Sequence, residues 1–210
     1  FAALGSSTRA VFAGGQTSSA VLNVIQYSTF ASTGTLSDFG DLSATASTCS
    51  GSSSSTRGII NLGYSGGAYS NVIEYITIAS AGNSTDFGDL TVARGSESGA
   101  SASPTRGTLS GGYTGSKSNV IDYITIASAG NATDFGDLLA ADMTVGACSS
   151  STRGLIGGGD GSGATTDVIQ YITIASTGNA QDFGDLSQSR KLFASFSNNT
   201  TGFWAGGDPN

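Results

Sequence analysis

A segment reading Asn-Val-Ile-x-Tyr begins at Asn23, Asn71 and Asn119, and again at Asp167 with Asp in place of Asn. A second, Asp-Phe-Gly-Asp-Leu, begins at Asp38, Asp86, Asp134 and Asp182, so both recur every 48 residues. A Thr-Arg pair places Arg9, Arg57, Arg106 and Arg153 in equivalent positions, and the same register falls on Thr201 in a diverged last copy. A period of this size means tandem supersecondary units that bury their faces against one another. The 210 residues are therefore expected to form one domain of copies 1–42, 43–90, 91–138 and 139–186, followed by a half copy, 187–210.

The third copy shows what one unit contains. Residues 91–103, rich in Ser and Ala, read as a first strand of small side chains suited to a crowded interior, and Pro104-Thr105-Arg106-Gly107 reads as a turn. Residues 108–112 read as a second strand closed by Gly111-Gly112. Residues 119–127 carry the β-branched and aromatic content of the strongest strand, with apolar residues on both faces, so this strand must be covered on both sides. A hairpin at 128–131 leads to a fourth strand at 134–138. Four-stranded units that are apolar on both faces and repeat at roughly 40–50 residues predict an all-β fold, a β-propeller of four-stranded blades.

Paired Gly after the second strand, Tyr in the third, and an aromatic followed by Leu in the fourth resemble a kelch-type repeat; here they are Gly111-Gly112, Tyr123, and Phe135 with Leu138. The sequence departs from that pattern in having Phe39, Phe87, Phe135 and Phe183 where kelch blades usually carry Trp, and in a longer hairpin before that aromatic. The longer string Tyr-Ile-Thr-Ile-Ala-Ser-(Ala/Thr)-Gly-Asn…Asp-Phe-Gly-Asp-Leu is similar to the kelch-like repeats of virion structural proteins of tailed phages, marine ones especially. The resemblance implies a virion-borne or extracellular propeller in a tail fibre or appendage. Such a module acts by binding other virion subunits or a host-surface glycan or protein. It implies no catalytic residue and no cofactor.

Composition argues in the same direction. Eight Lys and Arg stand against 15 Asp and Glu, a net charge of −7, which speaks against a nucleic-acid partner. No run of about 18 apolar residues is present, so membrane insertion is not expected. The absence of an initiator Met and the half copy suggest a piece of a longer polypeptide, and the half copy admits a homo-oligomer that completes it. There is no His, and Cys49 and Cys148 occupy nonequivalent positions, so nucleophile-base catalysis has little to stand on and both thiols are expected to be unpaired.

The repeated Asp pairs, such as Asp86 with Asp89, supply too few oxygens for a calcium site and read as turn-capping groups, so no metal is expected. Arg9, Arg57, Arg106 and Arg153, together with Tyr27, Tyr75, Tyr123, Tyr171 and the four Phe of the fourth strands, read as repeated structural residues, the arginines bridging neighbouring units. The Gly-rich run 157–163 lacks the ending of a phosphate loop and reads as flexible backbone. Asn83 and Asn131 stand in glycosylation sequons that hairpin chemistry explains equally well. The loops that vary most between copies are 16–22, 64–70, 113–118 and 160–166. Variation over a constant scaffold marks a binding surface, on which Tyr64, Tyr69, Tyr113, Lys117 and Asp160 are the candidate contacts. A non-enzymatic virion or appendage propeller is the first expectation. A secreted lectin-like carbohydrate-binding propeller is the alternative, and a propeller glycosidase the distant third.

Overall fold

In the computed structural model, which describes residues 1–95, 99–161 and 163–209, each 48-residue copy folds into its own antiparallel sheet. Sheet I comprises β1 (Ala2–Gly5), β2 (Arg9–Ala13), β3 (Val24–Thr29) and β4 (Ser37–Asp41). Sheet II comprises β6 (Ser50–Ser53), β7 (Arg57–Asn61), β10 (Val72–Thr77) and β11 (Thr85–Asp89), while β5 (Ala46–Ser47), β8 (Tyr64–Ser65) and β9 (Ala68–Tyr69) form a small separate sheet. Sheet III is β12 (Gly99–Ala102), β13 (Arg106–Ser110), β14 (Ser118–Thr125) and β15 (Thr133–Asp142). Sheet IV is β16 (Gly146–Ser149), β17 (Arg153–Gly157), β18 (Val168–Thr173) and β19 (Gln181–Asp185). The half copy supplies only β20 (Ala194–Ser197) and β21 (Gly202–Ala205). The protein is thus all-β among the described residues. The first strand of the third copy is β12, shorter than the 91–103 expected, and Thr91 and Arg94 from the front of that range instead contact Asp122 of sheet III.

Alternation along each strand sends successive side chains to opposite faces, and here the two faces belong to different cores. Ile60, Ile76 and Ile78 pack with Val11, Ile25 and Phe39 between sheets I and II, whereas Ile59, Ile73 and Phe87 pack with Leu109, Ile124 and Ile126 between II and III. A third slab, with Ile121, Phe135, Ile156 and Ile172, lies between III and IV. The first strands of successive sheets lie directly against one another, β1 on β6, β6 on β12, β12 on β16 and β16 on β20. Small residues are required there: a Cβ on Gly99 would come within 2.9 Å of the Ala147 Cβ. Serines join these strands. Ser53 Oγ donates to Gly5 O at 2.8 Å, Ser149 Oγ to Ala102 O at 2.8 Å and Ser197 Oγ to Ser149 O at 2.7 Å; Ala102, which takes the serine position in sheet III, has no hydroxyl to contribute.

Further out, each joint is built from the same parts. The repeated arginine donates across it, Arg9 Nη1 to Ile78 O at 2.7 Å, Arg57 to Ile126 O at 2.8 Å and Arg106 to Ile174 O at 2.9 Å. Each guanidinium lies over the tyrosine of its own sheet, Tyr27, Tyr75, Tyr123 and, for Arg153, Tyr171, at 4.2–4.4 Å. Each tyrosine in turn meets the edge of Phe39, Phe87, Phe135 or Phe183 at 5.9–6.2 Å. The hairpin of the following sheet closes the joint from outside. Gly82 N donates to Phe39 O at 2.7 Å, and Asn83 Oδ1 accepts from Asp41 N at 3.0 Å; Gly130, Asn131, Gly178 and Asn179 repeat both contacts.

Candidate functional site

With so much of the repeated sequence used between sheets, the loops after the second strands are left free, and those of the second, third and fourth copies meet along one rim. In the second copy Gly66 and Gly67, at φ of +60° and +87°, make the tight turn between β8 and β9, the conformation a two-residue hairpin of this kind demands. β8 also pairs with β5 from the linker entering the sheet. The other copies repeat the plan with single bridges, among them Tyr113 with Gly95 and Lys117, and Asp160 with Met143 and Thr165.

This plan brings together residues from loops more than 40 positions apart. Tyr64 meets Tyr69 edge-on at 5.4 Å, and Tyr69 meets Tyr113 of the next loop at 5.7 Å, giving a row of three rings. Tyr64 Oη donates to Gly67 O at 2.7 Å, while the hydroxyls of Tyr69 and Tyr113 have no partner among the described residues. Lys117 reaches across to the fourth copy, where its ammonium contacts Asp160 Oδ1 at 2.7 Å and donates to Gly161 O. Lys191 approaches the same carboxylate at 3.4 Å. These hydrogen bonds, Lys117's first, hold the Asp160 carboxyl below its ordinary value. Tyr64, Tyr69 and Tyr113 are therefore one aromatic surface, and Lys117 and Asp160 are one charged cluster beside it.

Beneath the cluster is Asp142, 5% exposed, whose Oδ1 accepts from Met143 N at 2.8 Å. Burial pushes this carboxyl up to about 7, opposed by the Met143 amide and the Lys117 charge and reinforced by Asp160. Because the folded-state value lies above that of an unfolded aspartate, Asp142 favours folding fully below about pH 4, and that contribution is lost as the pH rises to about 7. Asp142→Asn keeps the acceptor and removes the titration. It is expected to melt higher than the wild type at pH 8, by an amount on the order of a few kcal/mol, and nearly together with it at pH 4, as followed by thermal unfolding across that range.

Several buried polar groups lie outside the invariant motifs of the repeat. Arg94 and Asp122, 0% and 1% exposed, form an ion pair at 3.0 Å, with Arg94 Nη2 donating to Leu109 O. Burial lowers the Arg94 pKa, opposed by Asp122. Glu74, Asp122 and Gln170 occupy one position in the third strands, and each accepts the backbone N–H that follows the preceding copy's Asp-Phe-Gly-Asp-Leu, from Ser43, Thr91 and Leu139 respectively. A shared acceptor role explains why charge at that position is free to vary. The expectation that the Asp pairs cap turns needs correction: none of these carboxylates accepts a hydrogen bond from a described residue, and it is the backbone of Asp41, Asp89 and Asp137 that binds the next sheet. The described residues contain no group of three or more acidic, Cys or His side chains placed to hold a metal ion. Cys49 and Cys148 are buried free thiols. Asn83 and Asn131 are committed through Oδ1 to the joints. Within the Gly-rich run, Gly158 and Gly159 have φ of +56° and +121°, and Ser162 lies outside the described residues.

No protein-family model matches the chain, and no curated protein matches it.

Proposed function

We propose that this chain is a non-enzymatic β-propeller module of a virion or extracellular appendage, of the kelch-like kind, and that it binds a partner through the rim. One observation carries the reading: the residues that recur every 48 positions are engaged in joining sheets, whereas the variable loops of the second, third and fourth copies meet in one partly exposed aromatic and charged surface. A propeller is the natural continuation of sheets stacked face to face with their smallest strands crowded together. Enclosure of a host-surface glycan or protein by rigid tyrosines costs little conformational entropy, which suits an attachment or assembly role.

The same tyrosine row also favours a second reading, a lectin-like propeller, since aromatic faces stack on sugar rings. A panel of surface polysaccharides and immobilised appendage proteins separates the two, with Tyr69→Ala and Tyr113→Ala as probes. Each substitution is expected to weaken binding about 10-fold or more, while leaving the melting temperature within a few degrees. Saturable binding to glycans favours the lectin-like function, and capture of proteins alone favours assembly. Full retention of binding by both variants removes the rim from the proposal.

A further inference from the structure

Positive charge is distributed unevenly over this chain. Arg9, Arg57, Arg106 and Arg153 lie over the joint tyrosines, Arg94 is buried against Asp122, and Arg190 donates to the carbonyls of Gln188 and Gly206. The only two lysines, Lys117 and Lys191, come from different copies yet meet on the rim at one carboxylate, Asp160, with side chains 23% and 27% exposed. Two ammonium groups on a single carboxylate leave an excess of positive charge. Asp142 beneath them offsets little of it below about pH 7, because burial pushes that carboxyl up to about 7. Asp208 pairs with Lys191 through backbone and forms no ion pair with it. An ammonium carries three donors. Lys117 uses two, on Asp160 and Gly161 O, and Lys191 one, on Asp160, so both keep N–H groups for a further acceptor. Tyr113 is bridged directly across from Lys117, a pairing that places both side chains on one face, so the row of rings runs straight into the cations.

We propose that this end of the rim binds an anionic sugar residue, its carboxylate or sulfate gripped by Lys117 and Lys191 and its ring laid against Tyr113. The inference rests on the rim being a binding surface and names the class of ligand it takes. A neutral sugar would leave the lysine pair uncompensated. An acidic peptide would answer the cations alone, whereas a charged, hydroxyl-rich ring also uses the aromatic face and the unpartnered hydroxyls of Tyr69 and Tyr113. With a net charge of −7 the molecule as a whole repels polyanions, so the attraction is local to this cluster and is screened by salt.

The test is calorimetric titration of the whole chain with oligogalacturonate, sulfated galactan and neutral galactan of matched length. At least one anionic probe is expected to bind about 10-fold or more tightly than the neutral one, and whether it is the first or the second tells carboxylate from sulfate. Lys191→Met should remove that preference, and Asp160→Asn should increase it by withdrawing the competing carboxylate; a merely structural role for the cluster would make both variants bind more weakly. Melting curves establish that each variant is folded. No preference for either anionic probe, or one that persists in Lys191→Met, overturns the inference. Neutral galactan bound as tightly as the anionic probes, and lost in Tyr69→Ala, overturns the anionic class while the rim reading stands. Anion binding that Tyr69→Ala leaves intact upholds the lysine pair and overturns the aromatic row. Polyglutamate bound more tightly than either anionic sugar, and unaffected by Tyr113→Ala, assigns the lysines to an acidic protein instead.

Discussion

Gly184→Ala is expected to cost about 1–3 kcal/mol and Gly88→Ala roughly 2 kcal/mol more, measured from urea unfolding midpoints. Both glycines stand in the same conformation, φ +140° and +141°, so the backbone strain of an added Cβ is common to both. What differs is the neighbour. At Gly88 the Cβ would lie 2.5 Å from the carbonyl carbon and oxygen of Gly130, and backbone cannot rotate away as a side-chain tip can. Relief requires separating sheets II and III, which weakens the Gly130 N to Phe87 O bond and the Asp89 N to Asn131 Oδ1 bond together. Equal costs for the two variants would mean that the close approach contributes nothing.

Arg94→Met is expected to lower stability by roughly 3–5 kcal/mol, because it strands the Asp122 carboxylate in the interior and also removes the donor to Leu109 O. Thr91 still donates to Asp122 through both its amide and its hydroxyl, which places the cost towards the lower end of that range. The double variant Arg94→Met, Asp122→Gln gives position 122 the neutral acceptor that the fourth copy carries, where Gln170 accepts from Leu139 N at 2.8 Å. It should recover most of the loss in the same unfolding measurement. A double variant as unstable as the single one would show that the charge pair itself, and not relief of an unpaired carboxylate, holds this joint.

These two sites differ in how visible they were beforehand. Gly88 belongs to a pentapeptide that occurs four times, so the 48-residue period exposed it at once, and the strand order within each sheet followed from the same period with alternation and turn residues. The Arg94–Asp122 ion pair occurs only once among the described residues; the positions equivalent to Arg94 hold Ala46, Asp142 and Arg190. Periodicity cannot find a contact that one copy invented. Asn83 illustrates a subtler loss. Its sequence context suits a hairpin or a glycan acceptor, and its partner, Asp41 N, lies 42 residues away in a different sheet, a separation that leaves no local trace. The rim was legible as variable loops, but the meeting of Tyr69 with Tyr113 required the loops to be placed side by side. The aspartates misled in the opposite direction, since fourfold recurrence drew attention to carboxylates when the shared chemistry lies in main-chain atoms.

Those same carboxylates have a collective effect. Every four-stranded sheet ends on a fourth strand, and although the next sheet's hairpin takes up part of its outward backbone in sheets I to III, such a border is the kind along which polypeptides add to one another. Asp38, Asp86, Asp134 and Asp182 are all exposed on that border, and the chain's net charge of −7 gives two such borders every reason to stay apart. A protein densely displayed on a shared scaffold would gain from this mutual repulsion: neighbouring modules could crowd together without fusing into fibres.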